Sequence, residues 1–171
     1  DLSDLSPTGA DGLTVSLNHP TDIQELSDGD ILFTAWHNHK LRVIDAETGR
    51  VFVYLGRGAG RNGDGDPLLT ADQTLVNQPP HATLDSHGNL FIVDQRNQRI
   101  RVAYNFDQDR KNALVRTVVG FPGNPDPPVT PGFNGDGPAL ERQLNFPTGG
   151  NPEPSGGLVV VEDGEKTILY F

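Results

Sequence analysis

The chain is 171 residues long, carries 13 Lys and Arg against 23 Asp and Glu for a formal charge of −10, and contains neither Cys nor Met. An acidic balance repels phosphate backbones and sets a nucleic-acid role against the global field, while the absence of Cys excludes disulfides, thiolate metal sites and cysteine nucleophiles within these residues. No apolar run approaches the ~18 residues that cross a bilayer as a helix, and 20 Gly with 14 Pro describe a turn-rich folded chain.

The first residues, DLSDLSPTGADG, read as the start of a processed export product or of a trimmed sequence. From His19 a repeat unit begins. Short apolar runs at 23–26, 31–35, 41–45 and 51–55, separated by SDGD, HNHK and ETGR, predict four antiparallel strands. A link, RNGDGDP, leads to a second unit with runs at 82–85, 90–94, 100–104 and 114–119, separated by SHGN, RNQR and FDQDRKNA. Pro20 and Pro79, Gly29 and Gly88, Asn38 and Asn97, and Arg42 and Arg101 all stand 59 residues apart without a gap. Gly29 and Gly88 supply the positive φ that tight hairpins demand. Asn38 and Asn97 are predicted to bond their own turn backbone or to take a left-handed conformation.

After a second link, FNGDGPA, the Asn145 and Pro147 of LNFPTGG repeat Asn18 and Pro20. In LVVVEDGEKTILYF, Asp163-Gly164 reads as the counterpart of Asp28-Gly29, which makes the flanking runs the first two strands of a third unit. Leu32, Phe91 and Tyr170 are then expected at equivalent second-strand positions, and so are Phe33 and Ile92.

Four-stranded units repeated with Gly-rich links are the pattern of β-propeller blades. The fold class is all-β: one domain over residues 1–171 with blade copies at 19–61, 78–120 and 145–171. About two and a half blades do not close a ring, so the chain is expected to belong to a larger propeller of about six blades, or to close by homo-oligomerisation.

Asp22 and His81 hold equivalent places at the start of the first strand, the strand that lines a propeller channel, with Gly149 at that place in the third unit. A histidine facing a carboxylate can hold a ligand or act as a base. These two are the ligand or channel candidates. His37, Asn38 and His39 have metal-ligand character, but their counterparts are Arg96, Asn97 and Gln98, so the turn reading is preferred. Asn62, Asp64 and Asp66 resemble the opening of a calcium loop, yet Pro67 and Gln73 stand where Gly and Glu are required. They are weak metal candidates, calcium being the cofactor they would hold. Arg96, Arg99, Arg101, Arg110, Lys111 and Arg116 are expected to be exposed and to pair with neighbouring carboxylates. Trp36 and Phe33 read as inter-blade packing. No catalytic residue is assigned.

The stretches AWHNHKLRVID and GNLFIVDQRNQRIRV, and the NGDGxP links, resemble the NHL-repeat family of propellers, bacterial type, over residues 9–171. Ala35-Trp36 departs from the family's Ala/Val-Asp. The resemblance implies a non-enzymatic protein-interaction or assembly module within a larger exported protein, extracellular or periplasmic, whose partner is a protein or further blades of the same chain. The alternative is a metal-dependent propeller lyase or hydrolase using His81. The third reading, RNA binding, conflicts with the charge.

Overall fold

The computed structural model describes residues 3–64, 70–152, 158–162 and 165–169. They form three antiparallel sheets in chain order. The first contains β1 (Ala10–Asp11), β2 (Pro20–Glu25), β3 (Ile31–Ala35), β4 (Lys40–Ile44) and β5 (Arg50–Leu55), in the order β1-β5-β4-β3-β2. The second is a meander of β6 (Ala82–Leu84), β7 (Leu90–Asp94), β8 (Arg99–Ala103) and β9 (Val115–Val119). The third joins β10 (Pro147–Pro152), β11 (Leu158–Glu162) and β12 (Glu165–Leu169). Among the described residues no helix is long and apolar enough to cross a membrane.

The 59-residue offset holds at the level of hydrogen-bond register. Ile23 opposes Phe33 as Ala82 opposes Ile92, and Leu32 opposes Val43 as Phe91 opposes Val102. The irregularity between Leu41 and Arg42 in the β4–β5 pairing recurs between Ile100 and Arg101 in β8–β9. Gly29 and Gly88 turn the first hairpins with φ of 88° and 81°. The TGADG segment, which resembles the later links, instead adds β1 as an edge strand, with Ala10 opposite Val51.

The third unit differs from its expected strand assignment. β10 starts at Pro147 and shows a register shift between Pro147 and Gly149, matching the shift between Pro20 and Asp22. It is therefore the first strand, and LVVVE forms the second. Val159, not Tyr170, takes the register place of Leu32 and Phe91; Tyr170 lies outside the described residues. The sequence PTGGNP has no apolar side chain to mark it as a strand, and its extended form comes from pairing with β11.

The sheets pack face to face. Leu32, Leu41, Val43 and Leu55 of the first meet Ala82, Leu90, Ile92 and Ala103 of the second in one buried cluster. Val93, Ile100 and Val119 on the other side of the second sheet pack with Leu144, which leads into β10. Phe33 packs with Ala35 and Val51 of its own sheet, and Trp36 stacks on His37 with ring centroids 4.2 Å apart; neither joins the cluster between the first two sheets.

Candidate functional site between the inner strands

Asp22 lies at the β2 irregularity, and His81 immediately precedes β6. Their side chains meet across the two sheets, His81 Nδ1 lying 2.8 Å from Asp22 Oδ2. The same oxygen accepts the Ala82 N–H at 3.0 Å, while Asp22 Oδ1 accepts the Ile23 N–H. Two residues on, Gln24 Oε1 accepts the Leu84 N–H at 3.1 Å. The outward edge of β6 would otherwise present these N–H groups unpaired, and side chains of β2 satisfy them. Burial pushes the Asp22 carboxyl up, but hydrogen bonds from His81 and Ala82 outweigh it and hold the group below the ordinary carboxylate value. Among the described residues no three His, Asp or Glu side chains are gathered as a metal site would need.

Asn62 and Asp64 are placed in the link, with Asp66 outside the described residues. Asn62 Oδ1 accepts the Leu75 N–H at 2.6 Å. Asp64 pairs with Arg99 and Arg101 and accepts the Thr117 hydroxyl at 2.7 Å. Arg99 also bonds Asp94 at 2.7 Å. Both arginines are fully buried, which corrects the expectation that they are exposed. Burial, reinforced by the adjacent Arg99, lowers the Arg101 guanidinium to about 10. The first unit repeats the device: Lys40 and Arg42, 59 residues before Arg99 and Arg101, clamp the buried Asp4. A buried charge is tolerable only when paired and hydrogen-bonded. The signal for this clamp was two cations spaced two apart on the third strand of both units, a pattern also compatible with a surface face.

Arg110 makes charge pairs between units, with Asp28 at 2.6 Å and Asp30 at 2.8 Å. Arg96 lies over the Phe146 ring, 5.1 Å from its centroid.

A third set of contacts joins the tops of the sheets. His39 and Gln98, each ending a 3-10 turn, are left-handed with φ of 56° and 53°. His39 Nδ1 accepts the Gln78 N–H at 3.1 Å, and Gln98 Oε1 accepts the Phe146 N–H at 2.8 Å. The donors Gln78 and Phe146 are equivalent to each other and to His19: all three precede a proline and all have positive φ. The left-handed residue is thus the one after Asn38 or Asn97. The asparagines reach further: Asn38 Oδ1 accepts the Asn18 N–H and an Arg42 N–H, and Asn97 Nδ2 donates to Gly60 O and Asp94.

Successive antiparallel sheets, packed face to face and stapled through their inner strands, define an all-β, propeller-like protein. The chain is similar to a structural-genomics protein of Bacteroides thetaiotaomicron, at 24% identity and a TM-score of 0.63 over 82% of this chain and 32% of that one. Auxiliary nutrient-binding proteins share the fold: one from Bacteroides thetaiotaomicron at 18% identity and TM-score 0.57, one from Bacteroides ovatus at 12% and 0.59, each over 85% of this chain and 36% of the other. Among curated proteins, Protein SUPPRESSOR OF QUENCHING 1, chloroplastic, of Arabidopsis thaliana is 31% identical over 90 residues, which is 53% of this chain and 8% of that protein. No family model matches the chain.

Proposed function

We propose that this chain is a non-enzymatic interaction or assembly module, a segment of an NHL-type propeller in a larger exported protein, extracellular or periplasmic. The observation that carries this reading is the employment of its polar side chains. Asp22, Gln24, Asp64 and His39 each satisfy a backbone N–H or a cation of another repeat or link. A binding role is also the one described for two proteins of like fold. The second reading, a metal-dependent propeller enzyme, draws on the partly exposed Asp22–His81 pair. Calorimetric titration with zinc and with calcium separates the two. The expected result is no heat that depends on His81; a saturable heat abolished by His81→Ala would replace the module with the enzyme. RNA at physiological salt is expected not to bind, as the charge of −10 requires.

A further inference from the structure

The chain entering β2 meets the 3-10 turn Trp36–Asn38, and the meeting is fixed by backbone bonds. The Trp36 N–H donates to His19 O at 3.2 Å, the His37 N–H to Asn18 O at 3.3 Å, and the Asn18 N–H to Asn38 Oδ1 at 3.0 Å. The imidazoles of His19 and His37 are thereby held with ring centroids 4.5 Å apart and planes at 65°. Trp36 stacks on His37 at 4.2 Å and backs that ring. His19 is exposed and His37 half-buried, so solvent reaches the pair.

The same junction one repeat later shows that it brings these two side chains into contact. There, 59 residues on, Gln78 and Arg96 replace His19 and His37, and Arg96 Nε donates to Gln78 Oε1 at 2.7 Å. The second unit sets a hydrogen-bond donor against an acceptor. The first sets imidazole against imidazole.

Proton placement decides which nitrogens are available. Asn18 Oδ1 can only accept, so His19 Nδ1, 2.8 Å away, carries the proton and Nε2 of the neutral ring keeps its lone pair. Metal-bound histidines are arranged in this way, with the other ring N–H held by a neighbouring oxygen. The His37 ring makes no hydrogen bond among the described residues. His39 differs, because its Nδ1 accepts the Gln78 N–H, which puts the proton of the neutral ring on Nε2 and leaves no lone pair to give. The motif His37-Asn38-His39 therefore supplies one ligand, and the second comes from before Pro20.

We propose that His19 and His37 bind a divalent transition-metal ion, copper(II) before others, each imidazole giving one nitrogen and water filling the other positions. Two imidazoles bound about 2.0–2.1 Å from one ion, at roughly a right angle, have ring centres about 4.5 Å apart. A right angle is the geometry of tetragonal copper(II), which imidazole suits and which heads the affinity order of the divalent series. The charge of −10 favours cations over the surface. The site shares no residue with the Asp22–His81 pair.

The test titrates the full polypeptide with copper(II) in a weakly coordinating buffer at neutral pH, beside His19→Gln and His37→Arg. These are the second unit's own residues at the same places, with φ of 51° at Gln78 and 53° at His19, so the junction keeps its fold. The expected result is one saturable equivalent that each substitution weakens at least about tenfold, a loss that outer-shell changes alone can produce. Electron paramagnetic resonance should show two imidazole nitrogens on that copper and one in either variant. Emission of Trp36, isolated by difference from Trp36→Phe, should be quenched along the same saturation curve. His87→Gln, at another exposed histidine, should change none of these. Copper binding that survives either junction substitution unweakened would overturn the proposal, and so would quenching that rises without saturating, which marks an adventitious ion only. His81 enters none of these measurements, so the module reading stands or falls separately, on the zinc and calcium titrations.

Discussion

The imidazole of His39 accepts the backbone N–H of Gln78 through Nδ1 at 3.1 Å. A backbone N–H can only donate, so Nδ1 must keep its lone pair and the ring must be neutral for this contact to exist. Gln98 does the same for Phe146 one repeat later with an amide that does not titrate. Burial, and then the nearby His37, push the His39 pKa below 6.5, while Asn77 and Asp94 pull the other way. The folded state thus favours the neutral ring. Stability from this contact is complete above the ordinary histidine value and is lost as pH falls through the lower folded value.

Hydrogen exchange between pH 5 and 8 tests this. Protection of the Gln78 amide, corrected for intrinsic rate, should fall toward pH 5 while that of Phe146 stays level. The change reflects loss of one hydrogen bond, with a net worth of about 1 kcal/mol. His39→Gln should make the two junctions alike and remove the pH dependence. Equal profiles in the unaltered chain would refute the assignment.

Much of the first two sheets is legible in the sequence. Short continuous apolar runs, Asp-Gly and His-Gly turns and an unbroken offset locate β3 and β7 to the residue, because a buried apolar run and the turn chemistry that bounds it act locally. The site is less legible for three physical reasons. Arg99 and Arg101 are buried because Asp94 and Asp64 neutralise them, and Asp64, which Arg99 and Arg101 share, stands 35 and 37 residues away from them in the sequence. The residues before Pro20, Pro79 and Pro147 take positive φ although steric clash with proline favours extended backbone there. β10 has no hydrophobic signal at all, since its pairing is set by β11.

Asp22 both contacts His81 Nδ1 at 2.8 Å and accepts the Ala82 N–H. Asp22→Asn retains an acceptor for the Ala82 N–H and should cost less than about 1 kcal/mol, whereas Asp22→Ala leaves the N–H unpaired and should cost about 1–3 kcal/mol. Because the Asp22 carboxyl sits below its ordinary value of 3.8, its contribution is present above that pH and disappears as pH falls through the lower folded value. Urea denaturation of both variants at pH 7 and pH 3 measures this. Equal losses for the two variants would show that the charge, which both remove, and not the backbone contact, which Asn can keep, is what β6 requires.

Gly56 and Gly120 follow the fourth strands of the first two units, β5 and β9, and lie against the left-handed residues His39 and Gln98. Their φ values are 84° and 85°, and a Cβ would stand 2.5 Å from the carbonyl oxygen of His39 in one case and of Gln98 in the other. Gly49 has φ of 67° but open space around it. Gly49→Ala should therefore cost only the backbone strain, about 1–2 kcal/mol. Gly56→Ala and Gly120→Ala should each exceed it, because the obstructing atom is backbone. Thermal unfolding of the three variants gives the order.

The two NGDG links offer an internal comparison of buried and exposed carboxylates. Asp64 is held by Arg99, Arg101 and Thr117 inside the protein, and Asp4 plays that part for Lys40 and Arg42. Asp136 occupies the matching place in the next link and is exposed. The difference follows from the third strands. The register of β11 with β12 puts Glu165 and Thr167 where the first unit has Lys40 and Arg42, so no cation pair stands at those positions. Removing Asp64 leaves Arg99 and Arg101 short of a counter-charge in a buried setting, and Asp64→Ala should cost about 3–5 kcal/mol. Asp64→Asn keeps the hydrogen-bond acceptor for Thr117 but not the charge, and should fall below that figure without approaching zero. Asp136→Ala should lie within about 0.5 kcal/mol of the unaltered chain. Chemical denaturation at neutral pH in low and high salt reads all three. The Asp64 effect should persist at high salt, since a buried pair is poorly screened. Comparable losses at Asp64 and Asp136 would mean that the link backbone, and not the clamp on the third strand, is what the carboxylate supports.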